Sequence, residues 1–117
     1  LEAADKDRDM ALHVAAMRGH ADIVAALLKA GCRVDAPGQH ELTPLHWAAL
    51  KGEVEVVKVL LRAGANLSAR DDSGGGPLHR AAVGPNPDVI RLLVAAGADV
   101  MAKDNEGDAP LQVRHPG

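Results

Sequence analysis

The chain has 117 residues, 47% of them apolar, and 13 basic against 16 acidic side chains give a formal charge of −3. This length suits one domain. The interleaved charges exclude the basic face of a nucleic-acid binder and an acidic tail, and no apolar run reaches the roughly 18 residues of a membrane span.

One cysteine, Cys32, excludes an internal disulfide and fits a reducing compartment, so an intracellular location, cytoplasmic or nuclear, is expected. The first residue is Leu1 rather than Met. The chain therefore reads as a fragment, and missing targeting signals carry no weight. With one Trp and neither Phe nor Tyr, the core must be filled by Ala, Leu and Val. Such side chains suit thin layers of closely packed helices better than one deep centre.

In chain order, the elements repeat. Leu12-His13-Val14-Ala15-Ala16 returns as Leu45-His46-Trp47-Ala48-Ala49 and as Leu78-His79-Arg80-Ala81-Ala82. The histidines stand at 13, 46 and 79, a step of 33 residues, and Pro110-Leu111-Gln112 opens a fourth copy in the same register. Ile23-Val24 with Leu27-Leu28 returns as Val56-Val57 with Leu60-Leu61, and as Val89-Ile90 with Leu93-Val94. Gly31, Gly64 and Gly97 follow at one offset, and Leu1 stands where Val34, Leu67 and Val100 stand. One domain over 1–117 is expected, with a partial repeat at 1–6, repeats at about 7–39, 40–72 and 73–105, and a partial repeat at 106–117.

Each unit reads as two short helices and a loop. In the middle unit the first helix is expected from about Pro44 to Leu50. Proline suits a first-turn position, where its missing N–H has no partner to lose, and Pro77 repeats the device. The second helix is expected from about Val54 to Ala63. Its apolar pairs at i, i+1, i+4 and i+5 form one stripe, and Gly64 supplies the positive φ that ends it. Ala65 to Ser73 is polar and turn-rich. Helices under ~12–15 residues are marginal alone in water, so each stripe must be buried by a neighbouring unit. The expected fold class is all-α, a solenoid of stacked helix-turn-helix units.

The run Thr43-Pro44-Leu45-His46-Trp47-Ala48-Ala49, with Gly97-Ala98-Asp99-Val100 and Gly64-Ala65-Asn66-Leu67, resembles the ankyrin repeat over essentially the whole chain. The resemblance implies L-shaped units, β-hairpin-like finger loops at right angles to the helices, and a concave groove of fingers and first helices that binds protein partners. It also implies that His13, His46 and His79 hydrogen-bond backbone and loop groups between units. As a metal set they would stand on helices about 8–10 Å apart, too far to share one ion with bonds of ~2.0–2.1 Å.

Departures from the pattern predict local changes. Met10-Ala11 replaces Thr-Pro and Arg8 replaces a turn Gly in the first unit. In the third unit Gly76 replaces Thr, and Pro85 replaces the inter-helix Gly. Proline cannot adopt φ > 0, so Gly84 is expected to end the first helix one residue early, with Asn86 capping the second and Pro87 at its first position. Gln112 replaces His in the fourth unit.

No catalytic, cofactor or metal site emerges, and an enzyme is not expected. Ser73-Gly74-Gly75-Gly76 precedes a helix but lacks the Gly-Lys-Ser/Thr ending of a phosphate loop. Cys32 reads as a buried, inert thiol. Lys51, Lys58, Arg62, Arg70 and Arg80 are interleaved with acids and lack aromatic company, which reads as a solvated face.

The resemblance maps partner-binding positions onto this chain. They are Lys6, Asp7, Asp9, Met17 and Arg18 in the first unit, and Gln39, His40, Leu42, Trp47, Leu50 and Lys51 in the second. The third unit adds Asp72, Ser73, Gly75, Arg80 and Val83, and the last adds Asn105, Glu106 and Asp108. Leu42, Trp47 and Leu50 are expected to form an apolar centre with a polar rim, and packing between units is the other reading of these three. The function expected is a module that binds a protein or peptide, with no nucleic acid, membrane or small-molecule substrate. The alternative is a structural spacer in a longer array. A monomer is expected, with end-to-end association through an exposed stripe of Ile23, Val24, Leu27 and Leu28 or through the apolar face of the last unit.

Overall fold

Helix boundaries fall where proline and glycine punctuate the repeat. The computed structural model describes residues 2–84 and 86–110, with the main chain alone for 2–8. Six helices follow one another: α1 (Glu2–Arg18), α2 (Ala21–Lys29), α3 (Pro44–Lys51), α4 (Val54–Arg62), α5 (Pro77–Val83) and α6 (Pro87–Ala95). The described residues contain no strand.

Gly31, Gly64 and Gly97 take φ of 101°, 87° and 106° just past α2, α4 and α6, as the C-terminal stops require. Thr43 caps α3: its hydroxyl accepts from His46 N at 3.3 Å, while Thr43 N donates to His46 Nδ1 at 3.1 Å. Gly76 replaces Thr43 before α5 and keeps only the reciprocal bond, its N–H donating to His79 Nδ1 at 3.0 Å.

The helices stack in two layers. α1 packs on α3 and α3 on α5, while α2 packs on α4 and α4 on α6. The body is elongated, 51 × 25 × 21 Å. Its core is one ribbon of repeat-equivalent side chains: Leu12, Leu45 and Leu78; Ala15, Ala48 and Ala81; Val56 and Val89; Leu60 and Leu93. Alanines between the inner helices let the layers approach closely. Each fully buried Val or Leu contributes about 1.5–3 kcal/mol of transfer free energy.

After α2, α4 and α6 the chain forms a finger. Finger 1 is closed by Gly38 N to Leu42 O, finger 2 by Asp71 N to Gly75 O and finger 3 by Asp104 N to Asp108 O, each at 2.9 Å. Neighbouring tips are joined by Asp72 N to His40 O and Asn105 N to Ser73 O, also at 2.9 Å. The fingers are thus hairpin-like turns, tied tip to tip.

Several expectations are corrected. The finger positions expected at Lys6, Asp7 and Asp9 are helical instead: α1 runs unbroken through Lys6, Asp7, Arg8 and Asp9. Residues 2–18 contain neither Gly nor Pro and are rich in good helix formers. The end stripe is not exposed as a whole. Val24 is fully buried and Leu27 and Leu28 are half-buried, leaving Ile23 at 49%. Cys32 is half-buried rather than enclosed.

α5 does end one residue before its counterpart α3, with Gly84 extended at φ −97°, ψ 165°. Asn86 occupies the N-cap position of α6 and Pro87 the next, but the Asn86 side chain makes no capping bond. It lies against Gly52, which has φ 71° and no room for a Cβ beside that amide. Leu1, Pro85, Leu111 and Gln112 lie outside the described residues, so the expectations resting on them are not tested.

Candidate functional site

Three histidines fix the fingers to the inner helices. His46 is fully buried; its Nε2 donates to Gly75 O at 3.0 Å, while Nδ1 accepts from Thr43. Burial pushes its pKa down, against the opposing pull of the Gly75 carbonyl and the Asp71 charge, so the ring stays neutral. His79 repeats this with Gly76 N and Asp108 O. His13 departs from it: Nδ1 faces Asp9 O and Nε2 faces Ala36 O, both at 2.6 Å.

Finger 2 is organised by a buried carboxylate. Asp71 Oδ1 accepts from Ser73 N, Ser73 Oγ and Gly75 N at 3.0, 2.7 and 3.0 Å. Its Oδ2 lies 3.0 Å from Arg80 Nε. That nitrogen makes no aligned hydrogen bond, so the contact is an ion pair. Burial raises the Asp71 pKa, but the Ser73 and Gly75 hydrogen bonds and the Arg80 charge outweigh it and hold the carboxyl below its ordinary value. Arg80 also donates to Ser73 Oγ at 3.0 Å. Arg80 and Ser73 are therefore engaged with Asp71 rather than projecting singly into a groove.

Between α1 and finger 1, Trp47 is half-buried and lines a depression of about 490 Å³. Met10, Val14 and Met17 of α1 complete its apolar wall, and Pro37, Gly38 and Gln39 of finger 1 close the other side. Asp9 and His13 lie at its edge with Arg33, whose guanidinium pairs with Asp9 at 2.7 Å. Asp9 is thus buried and ion-paired, not a fingertip group.

Of the residues read from the sequence, Met17, Gln39 and Trp47 meet at this depression, with Asp9 at its edge. Leu42 and Leu50 are half-buried and do not line it. His40 and Asp72 meet at the fingertips, Nδ1 to Oδ2 at 2.9 Å. Arg18 and Lys51 are exposed at the C-terminal ends of α1 and α3. Glu106 is exposed on finger 3, and half-buried Asp108 uses its carbonyl to accept from His79.

Met10 and Val14, 66% and 38% exposed, line the depression although the sequence reading does not single them out. A signal existed for Val14, which shares its repeat position with Trp47 and Arg80. A search of curated proteins finds no match to the chain. A family model for ankyrin repeats in three copies matches residues 1–71, and a single ankyrin-repeat model matches residues 73–105. Such repeats are generally non-catalytic protein-interaction modules. The recurring histidine-to-finger bond, the two helical layers and these matches agree: the chain belongs to the ankyrin repeat family.

Proposed function

We propose that the chain holds a partner protein or peptide in the concave groove formed by the fingers with α1, α3 and α5, without catalysing a reaction. One observation carries this reading: the chain's single aromatic side chain, Trp47, is half-buried beside exposed Met10 and Val14 on the groove side. Trp is enriched among the few residues that dominate binding energy, typically costing ~2 kcal/mol or more on truncation. The repeat divisions at about 7–39, 40–72 and 73–105 and an intracellular location, on the single cysteine, belong to the same reading.

The test is a pull-down with partner identification, then calorimetry of the identified partner against wild type and against Trp47→Ala with Leu50→Ala. The expected result is a loss of about thirtyfold in affinity with unchanged circular dichroism. Equal affinity in a folded variant would count against the groove.

The spacer alternative is favoured by Ile23. It is 49% exposed, whereas Val56 and Val89 at the same repeat position are fully buried between units. That outer face would suit another helix pair. A fragment that captures no partner, while a longer array containing it does, would favour the spacer.

A further inference from the structure

Resting on the groove reading, we propose that the depression at Trp47 takes one large apolar side chain of a partner segment whose flanking residues are Lys or Arg.

The apolar part follows from what converges there. Met10, Val14, Met17 and Trp47 surround about 490 Å³ of open space, within the range that ordinarily encloses a sizeable ligand group. Two methionines give an adaptable wall, since the thioether chain is flexible and polarizable. The space exists because two positions are small. Val14 stands where the next units carry Trp47 and Arg80, and Gly38 stands where they carry Asp71 and Asp104.

The basic part follows from the charges at the border. Asp9 and Arg33 pair with each other, 2.7 Å apart, and largely cancel. Exposed acids recur along the fingertips: Glu41 on finger 1, Asp72 on finger 2 and Glu106 on finger 3. Backbone bonds between neighbouring fingers hold these tips in one row. The His40 ring lies 2.9 Å from Asp72. The bases on this side are Arg70, which donates to the carbonyls of Gly74 and Lys103, and exposed Lys103. They are outnumbered by Glu41, Asp72 and Glu106 with half-buried Asp104 and Asp108. The opposite border, at the C-terminal ends of α1 and α3, is basic through Arg18 and Lys51. The groove is therefore polarised across its width, acidic on the finger side and basic on the helix-end side. A segment with an apolar anchor and Lys or Arg turned to the fingers complements it. An anionic strand or membrane surface laid along the fingers would meet Glu41, Asp72 and Glu106.

The probe is a random-peptide library displayed on phage and selected against the chain. Enriched peptides should share one large apolar residue with Lys or Arg within one helical turn of it. Their binding should change the emission of Trp47, the only aromatic fluorophore. It should fall about tenfold for Glu41→Lys and about thirtyfold for Trp47→Ala. Val14→Arg is the second variant: it lies at an exposed position, carries the residue the third unit has there, and should weaken binding even if Trp47→Ala fails to fold. Enriched peptides that are acidic overturn the proposal. So do peptides that ignore Trp47, Val14 and Glu41 but are lost on Leu50→Ala or Lys51→Glu, although the groove reading then stands. Peptides insensitive to every one of these substitutions, or no enrichment at all, overturn both.

Discussion

Fingers 1 and 2 have the same length and the same closing bond, yet they are built in opposite ways. Finger 2 is held from within by Asp71, whose carboxylate gathers Ser73 and Gly75 and pairs with Arg80. Asp104 does the same for Glu106 N and Asp108 N in finger 3. Finger 1 has Gly38 at that position and no carboxylate to gather its amides. Its tip turns through His40 and Glu41 at φ 57° and 61°, where fingers 2 and 3 use Gly74 and Gly107. Left-handed backbone costs an L-residue roughly 1–2 kcal/mol. Finger 1 is held instead from outside, by Asp72 N on His40 O and by the His40–Asp72 side-chain contact. The finger without an internal clasp is the one that borders the Trp47 depression. A repeat that is uniform in register is thus uneven in how firmly each finger is set.

The strongest way to break this contrast is Asp71→Ala. It strands two backbone N–H groups and leaves Arg80 without its ion-pair partner. A loss of about 3 kcal/mol in urea unfolding is expected. A loss under about 1 kcal/mol would mean that finger 2 needs no internal clasp.

Acidification attacks the same hub in two windows. The His46 pKa is lowered on folding by burial, so below its ordinary 6.5 the unfolded chain takes up a proton that the folded chain refuses, and stability falls as pH drops. The Asp71 pKa is also lowered, because the Ser73, Gly75 and Arg80 contacts outweigh burial. Its contribution is present above the ordinary 3.8 and is lost as pH falls through the lowered folded value. Unfolding at stepped pH should show stability declining through both windows. Asp71→Asn should flatten the lower one and, by removing the charge that opposes burial at His46, extend the upper one toward lower pH.

A smaller effect is expected at finger 1. Glu41→Gly relieves a left-handed residue and should raise stability by about 1 kcal/mol, whereas fingers 2 and 3 already carry glycine there. A decrease on thermal unfolding would mean that the Glu41 side chain holds the tip. The least change is expected for Ser73→Ala. It removes the hydroxyl donor to Asp71 but leaves Ser73 N, at a cost of about 0.5–1 kcal/mol.

Much of the fold was legible because repetition multiplies weak signals. One short helix such as Pro77–Val83 says little alone, but its proline, histidine and alanines recur in step, and the early stop at Gly84 followed from proline standing at 85, where the second unit has Gly52. α1 was harder to read. Its first half aligns with finger positions of the later units, while its own lack of Gly and Pro argues for helix. The groove was partly legible. The repeat positions that point to Met17, Gln39 and Trp47 point equally to Leu42 and Leu50, which do not line the depression. Neighbours along a helix need not share a wall, whereas Met10 and Val14 reach the depression from the adjacent helix.

By itself the sequence determined the architecture. A step of 33 residues, with stripes too short to stand alone, leaves stacking as the way to bury them. Only the tertiary structure decided what equivalent positions do. Ile23 lies on an outer face while Val56 and Val89 lie between units. Gly38 leaves a space where Asp71 builds a clasp, and Arg80 turns to that clasp where Trp47 lines an opening. Burial and pairing depend on which neighbour a unit has, and a local pattern that repeats in every unit does not contain that information.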